Sequence, residues 1–185
     1  VAKQEPAQRE PVSNASPTVR RAKVGDVRRI KELIDQYAPD ILLEKSLVNL
    51  YEDVTEFWVA EIPDPDGGPT PRVVGCGALH VLWEDLGELR TIATDPQCRG
   101  RRIGRTLCLE LIEQARNLGL TRLFVLTFEV MFFSALGFRR IGELDLGPDA
   151  LAELRSSYDR GVAEFLDLPY VKPNTLGNTR MLKQL

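Results

Sequence analysis

At 185 residues, 43% hydrophobic and with a formal net charge of -3, the chain has the size and balance of one globular domain with a continuous core. Its sequence pI of about 5.4 argues against a nucleic-acid partner, and no run approaches the roughly 18 to 20 apolar residues needed to span a bilayer. Three cysteines, Cys76, Cys98 and Cys108, form no C-x-x-C pair, and the single histidine, His80, completes no zinc spacing, so reduced core thiols and no metal are expected.

In chain order, Val1 to Pro17 is polar and proline-bearing and reads as a disordered arm, leaving residues 18–185 as the folded domain. The start has no signal-peptide order, so a cytoplasmic location is expected. "TVRRA" reads as a first strand. Asp26 is placed as the cap of a helix with Val27, Ile30, Leu33, Ile34 and Tyr37 on its apolar face. Ser46 caps a second helix, with Leu47, Leu50, Tyr51 and Val54 on one side. "FWVAEI", the turn-rich "PDPDGGPTP" and "RVVGCGALHVL" form a hairpin with a long connection, His80 being a strand residue, and "GELRTIAT" continues the sheet.

The next stretch, "QCRGRRIGR", is followed by a helix with Ile103, Leu107, Leu111, Ala115 and Leu118 on one face and Gly119 near its end. "RLFVLTF" is apolar enough for a central strand. "EVMFFSALG" reads as a short helix, "FRRIG" as a strand, "PDALAELRSSYDRG" as a helix with Pro148 in its first turn, and "TRMLKQL" as the last strand. Antiparallel strands followed by a strand–helix–strand unit argue for an α/β fold with helices on both faces of the sheet.

Residues Gln97 to Arg105 hold four arginines and two glycines between a strand and a helix start. A helix start leaves backbone N–H groups unpaired and carries partial positive charge. Glycine lets the backbone approach a ligand, and arginine adds charge-assisted hydrogen bonds. Neither G-x-x-x-x-G-K-[ST] nor G-x-G-x-x-G is present, so a pyrophosphate within a small cofactor fits best.

"IATDPQCRGRRIGRTL" resembles the signature of the GNAT N-acetyltransferase superfamily, in which a bulged strand enters a Q/R-x-x-G-x-G/A loop that grips the pyrophosphate of acetyl-CoA. "FFSALGFRRIG" resembles the family's short helix and following strand. The resemblance implies a GNAT fold with a mixed central sheet of six to seven strands. It implies acetyl-CoA as co-substrate, bound by Ile92, Ala93, Thr94, Gln97, Arg99, Gly100, Arg101, Arg102, Ile103, Gly104 and Arg105. Two departures stand out. Arg102 occupies a glycine position of the signature, and Phe133 stands where many members place a tyrosine as general acid.

Within the superfamily, "ILLEKSLVNLYEDVTEFWVAE", "GELRTIATDP", "LFVLT" and "GNTRML" resemble the acetyltransferase portion of the N-acetylglutamate synthases, amino-acid N-acetyltransferases that begin arginine biosynthesis. The amino-acid-kinase-like domain that many such synthases carry in front is outside the resemblance. By this likeness Glu88 matches the proposed general base, a bulge near Ile92 supplies an oxyanion donor, and Thr127 takes a position where relatives place a hydroxyl near the leaving thiolate. Lys45 aligns with a substrate-binding arginine, and Thr179 and Arg180 match an R-x-S-K stretch whose first arginine is Gly177 here. Lys172, with Arg90 second, is expected to supply the missing cation.

Asn174 and Asn178 suit an amide as well, so glutamine stands beside L-glutamate as the small-molecule acceptor. Other readings stay open: a GNAT enzyme for another amine, such as a peptide N-terminus or a polyamine, or a non-catalytic acetyl-CoA-binding regulatory module. A homodimer is a family-level expectation.

Overall fold

A computed structural model describes residues 16–38, 40–64, 66–142, 152–154 and 178–185. Seven strands make one sheet: β1 (Thr18–Arg21), β2 (Phe57–Ile62), β3 (Arg72–Trp83), β4 (Leu86–Thr94), β5 (Arg122–Thr127), β6 (Arg139–Arg140) and β7 (Thr179–Gln184), in spatial order β1-β2-β3-β4-β5-β7-β6. Every neighbouring pair is antiparallel except β4 and β5. The mixed sheet of the expected GNAT fold is therefore present.

Helices cover both faces. On one, Val27, Ile30, Leu33 and Ile34 of α1 (Val27–Asp35) and Leu50 of α2 (Leu47–Glu52) pack on Phe57, Val59, Cys76, Ala78 and Ala93. On the other, Leu107, Cys108, Leu111, Ile112 and Ala115 of α3 (Ile103–Asn117) lie on Trp58, Leu79 and Leu89, beside Phe133 of α4 (Val130–Ser134). Each such buried aliphatic or aromatic side chain stabilises the fold by about 1.5 to 3 kcal/mol. Gly77 admits the close approach of α3: a Cβ there would stand 2.5 Å from Ile92 Cδ1 and 3.1 Å from Leu111 Cδ1.

Several elements differ from their sequence reading. Asp26 ends a 3₁₀ turn and does not cap α1 with its side chain; its carboxylate accepts from Lys23 N–H at 2.7 Å and from the Arg20 guanidinium at 2.7 and 3.0 Å. A nearby guanidinium outcompeted the helix end for this carboxylate. Tyr51 and Leu118 are exposed, because α2 and α3 have already turned those positions away from the sheet. Of "FRRIG" only Arg139–Arg140 pairs, against β7. Ser46 does cap α2, accepting from Asn49 N–H at 3.1 Å. The helix expected over 148–161 lies outside the described residues except for 152–154, which are helical, and most of the expected arm lies outside them too.

What positions the site is the short pairing of β4 with β5. Only Leu86↔Arg122, Gly87↔Leu123 and Glu88↔Phe124 are in register, and beyond them the two parallel strands part. Asp85 closes the joined end: its carboxylate accepts from Arg122 Nε at 2.8 Å and Nη2 at 3.0 Å, and its carbonyl from the N–H groups of Thr121 and Arg122. Among the described residues no helix is long and apolar enough to cross a membrane, and no group of His, Cys, Asp or Glu side chains is arranged to hold a metal.

Candidate active site

The fork between β4 and β5 opens into a cavity of about 1140 Å³, bounded by β4 from Glu88, β5 from Val125, the start of α3 and the segment 40–45 between α1 and α2. Two non-glycine residues among those described take positive φ, Thr91 at 58° and Arg102 at 59°, and both line this cavity. A left-handed conformation costs an L-residue about 1 kcal/mol or more, so strain is concentrated at one place.

At the mouth, Asp95 is the organising group. It is 4% exposed, and its Oδ1 accepts from Gln97 N–H at 3.0 Å while its Oδ2 accepts from Arg29 Nη2 at 2.7 Å and Arg72 Nη2 at 2.9 Å. Burial alone would push this carboxyl up, but the Gln97 N–H and the two guanidinium groups outweigh it and hold it below the usual carboxylate range. The Tyr37 hydroxyl donates to Thr94 O at 2.6 Å, fixing the same corner from the turn after α1.

The chain then turns through Gly100 at φ 83° and Arg102 at φ 59°, ψ 17°, and Arg102 becomes the N-cap of α3. Arg102 thus follows the left-handed path that the signature's glycine would take. Its carbonyl accepts from Thr106 N–H at 2.9 Å and Oγ1 at 3.2 Å. The first N–H groups of α3, at Ile103, Gly104 and Arg105, have no intrahelical acceptors and open on the cavity. A Cβ at Gly100 would meet nothing within 4 Å, so positive φ and not crowding calls for glycine there. A turn of N–H groups, a helix start and the side chains of Arg99, Arg102 and Arg105 make a cradle that fits a pyrophosphate.

Not every residue expected at the cofactor lines this cavity. Ile92, Thr94, Arg99, Gly100, Arg102, Ile103, Gly104 and Arg105 line the cavity. Ala93 is buried in the core under α1, because the bulge before it turns its side chain to that face. Gln97 is exposed with its N–H committed to Asp95, and the Arg101 side chain does not line the cavity.

Glu88 is 6% exposed and stands at the last register pair before the strands part. Three residues on, the ladder slips: Cys76 pairs with Ala93 and Ala78 with Arg90, so Thr91 and Ile92 together face Gly77. An extra residue of this kind takes backbone N–H groups out of the ladder, next to the carboxylate. Across the fork, Thr127 is buried against the cavity wall. Its Oγ1 accepts from Glu129 N–H at 2.9 Å, which leaves the O–H to donate. Phe133 is also buried, edge-on to Phe132 and Phe138 at 5.1 and 5.4 Å, and has no proton to give.

At the far end Lys45 and Arg90 line the cavity, each against a carboxylate. Lys45 Nζ lies 3.3 Å from Asp53 Oδ2, and Arg90 Nη2 donates to Glu56 Oε2 at 2.9 Å. His80 Nδ1 lies 2.8 Å from Glu56 Oε1 and 3.0 Å from Arg90 Nη2. Burial raises the Glu56 carboxyl, but His80 and Arg90 together bring it below its ordinary value. Asp40, Glu44 and Glu52 face the same space. Thr179 and Arg180 sit on β7 opposite Thr127 and Leu126 and do not line the cavity, whereas Asn178, just before them, does. Lys172 and Asn174 lie outside the described residues. Asp53, Glu56, Asp95 and Arg29 were not singled out in the sequence. Only Asp95 carried a signal, as the Asp-Pro break before the arginine loop.

A sheet forked between its two parallel strands, with a helix start at the mouth and a buried carboxylate at the fork, defines a GNAT-type acyltransferase. The model of the acetyltransferase (GNAT) family matches residues 27–140, and the chain belongs to that family, an acetyltransferase by descent. An amino-acid acetyltransferase of Mycobacterium tuberculosis is 58% identical over 166 residues, covering 90% of this chain and 93% of that protein. An amino-acid acetyltransferase of Neisseria meningitidis is 32% identical over 143 residues, covering 76% of this chain and 31% of its own length, so this chain spans under a third of that longer relative.

Solved structures are similar as well, among them two close enough in sequence to compare. Rv2747 from Mycobacterium tuberculosis, in complex with CoA and NLQ, superposes with a TM-score of 0.86 at 57% identity, covering 91% of this chain and 99% of that one. N-acetylglutamate synthase from Neisseria gonorrhoeae, complexed with coenzyme A and N-acetyl-glutamate, gives a TM-score of 0.70 at 28% identity, covering 92% of this chain and 35% of that one.

Proposed function

We propose that this acetyltransferase moves the acetyl group of acetyl-CoA to the α-amino group of L-glutamate or L-glutamine, the opening reaction of arginine biosynthesis, in the cytoplasm. The observation that carries this reading is the position of Glu88: buried at the fork, between the pyrophosphate cradle and the end that holds Lys45 and Arg90. The relatives of M. tuberculosis and N. gonorrhoeae support it by their names and bound molecules.

In this reading the cradle of Arg99, Gly100, Arg102, Ile103, Gly104 and Arg105 takes the pyrophosphate, and the pantetheine arm runs down the fork. Lys45 and Arg90 hold the acceptor's carboxylate, with Lys172, Thr179 and Arg180 expected beside them. Glu88 removes a proton from the acceptor ammonium, and the free amine attacks the thioester carbonyl. The bulge N–H groups at Thr91 and Ile92 receive the developing oxyanion. As the new C–N bond forms and the C–S bond breaks, the Thr127 hydroxyl gives its proton to the departing thiolate and takes up the second proton of the attacking nitrogen, the role that Phe133 cannot fill.

The carboxylates near the acceptor end favour glutamine, whose side chain adds no second negative charge beside Asp40, Glu44 and Glu52. The test is CoA release from acetyl-CoA across the free amino acids and simple polyamines. Turnover confined to glutamine and glutamate supports the reading. Turnover with polyamines alone, or acetyl-CoA binding without CoA release, replaces it with another amine acceptor or a regulatory module.

A further inference from the structure

Glu56, His80 and Arg90 come from three separate places in the chain: the 3₁₀ turn Val54–Glu56 after α2, the middle of β3 and the middle of β4. They meet on the α1 and α2 face of the sheet. His80 pairs in register with Glu88, and Arg90 follows Glu88 by two residues, so all three side chains of β3 and β4 project to the same side. The Arg90 side chain is only 9% exposed, while those of His80 and Glu56 are 19% and 27% exposed. Such a buried guanidinium is located by the groups that balance its charge, because moving away from them would leave it desolvated and uncompensated.

Two of those groups are Glu56 and His80. Arg90 Nη2 reaches both Glu56 Oε2 and His80 Nδ1, and His80 Nδ1 in turn contacts Glu56 Oε1. A ring nitrogen cannot donate to the carboxylate and accept from the guanidinium in one state, so the imidazole hydrogen-bonds one of the two ions at a time and packs beside their direct contact. The same short segment places Asp53 on Lys45, so the two cations of the acceptor end are each held by a carboxylate from 53–56.

We propose that Glu56 and His80 are positioning residues for the acceptor amino acid: they aim the Arg90 guanidinium so that the acceptor's carboxylate docks with its amino group beside Glu88. This rests on the function proposed above. The acceptor, not acetyl-CoA, is what the pair governs.

The experiment is steady-state kinetics with glutamine and glutamate on the wild type and on Glu56→Gln, His80→Ala and His80→Asn, with melting temperatures measured alongside. Glu56→Gln and His80→Ala should raise the acceptor KM at least about tenfold, with kcat and the acetyl-CoA KM within about threefold. His80→Asn, which keeps a polar atom near the Nδ1 position, should recover most of the loss, a rescue that a purely structural role would not produce. Unchanged acceptor KM in variants that melt like the wild type overturns the proposal, as does an equal rise in both KM values. Absence of wild-type turnover with either amino acid would instead overturn the proposed function, and this proposal with it.

Discussion

Arg29 of α1 donates from Nη2 to Asp95 Oδ2 at 2.7 Å, joining the first helix to the turn that leads into α3 across 66 residues of chain. Because Arg72 grips the same oxygen, one buried carboxylate ties together α1, β3 and the turn that leads into α3. Asp95→Asn should therefore lower stability by about 1 to 3 kcal/mol at neutral pH. The pH dependence has a definite sign. The folded carboxyl is held below its ordinary value, so its contribution is complete above the carboxylate range and is lost as pH falls toward the folded pKa. Denaturant unfolding of wild type and variant should show a gap that closes below about pH 4; a gap independent of pH would reject the assignment.

Arg102 takes the glycine's backbone path and adds a side chain at the cavity. Arg102→Gly should leave stability nearly unchanged, since relief of left-handed strain offsets the wider freedom of glycine in the unfolded chain, each about 1 kcal/mol. Acetyl-CoA affinity should fall about fivefold to tenfold with a weaker salt dependence, as one charge-assisted contact disappears. Calorimetric titration at two ionic strengths measures both, and wild-type affinity would assign the grip to the backbone alone.

Glu88→Gln preserves shape but removes the carboxylate proposed as the base. Its kcat should drop by about two orders of magnitude or more while acetyl-CoA affinity stays near wild type. A normal rate at neutral pH would dismiss Glu88 as the base.

Thr127→Val removes the donor at nearly constant volume and should cut kcat about tenfold, with Thr127→Ser close to wild type. Because Thr127 also accepts from Glu129 N–H at the entry to α4, the valine variant should melt slightly lower. Equal rates for valine and serine would show that the thiolate leaves without help from this hydroxyl.

Burial pushes the thiols of Cys76 and Cys108 up to about 12, and both are 0% exposed. Iodoacetamide at pH 8 should label neither until the protein is unfolded, as mass spectrometry of the intact chain would show. Labelling of either in the native state would contradict their place under the helices.

Much of the fold was legible because local rules agree with it. The nearly continuous apolar run of "FWVAEI", the helical spacing through Ile103, Leu107 and Leu111, and Ser46 before an apolar run each specify a local conformation that the tertiary structure keeps. Asp26 was misread for the converse reason. It has a good capping residue's chemistry, but Arg20, brought close by the pairing of β1 with β2, binds it more strongly than a helix start can.

By itself, the sequence determined the order of strands and helices, an arginine-rich loop at a helix start, and Glu88 as a carboxylate on the strand entering it. These follow from spacing, turn chemistry and charge, all of which are local. Only the tertiary structure decided that β4 and β5 part just past Glu88, that a bulge at Thr91 buries Ala93 away from the cleft, and that Arg90 is held by Glu56 and His80. Strand register and the pairing of charges between distant segments arise from packing the whole sheet between its helices, and no short stretch of residues encodes them.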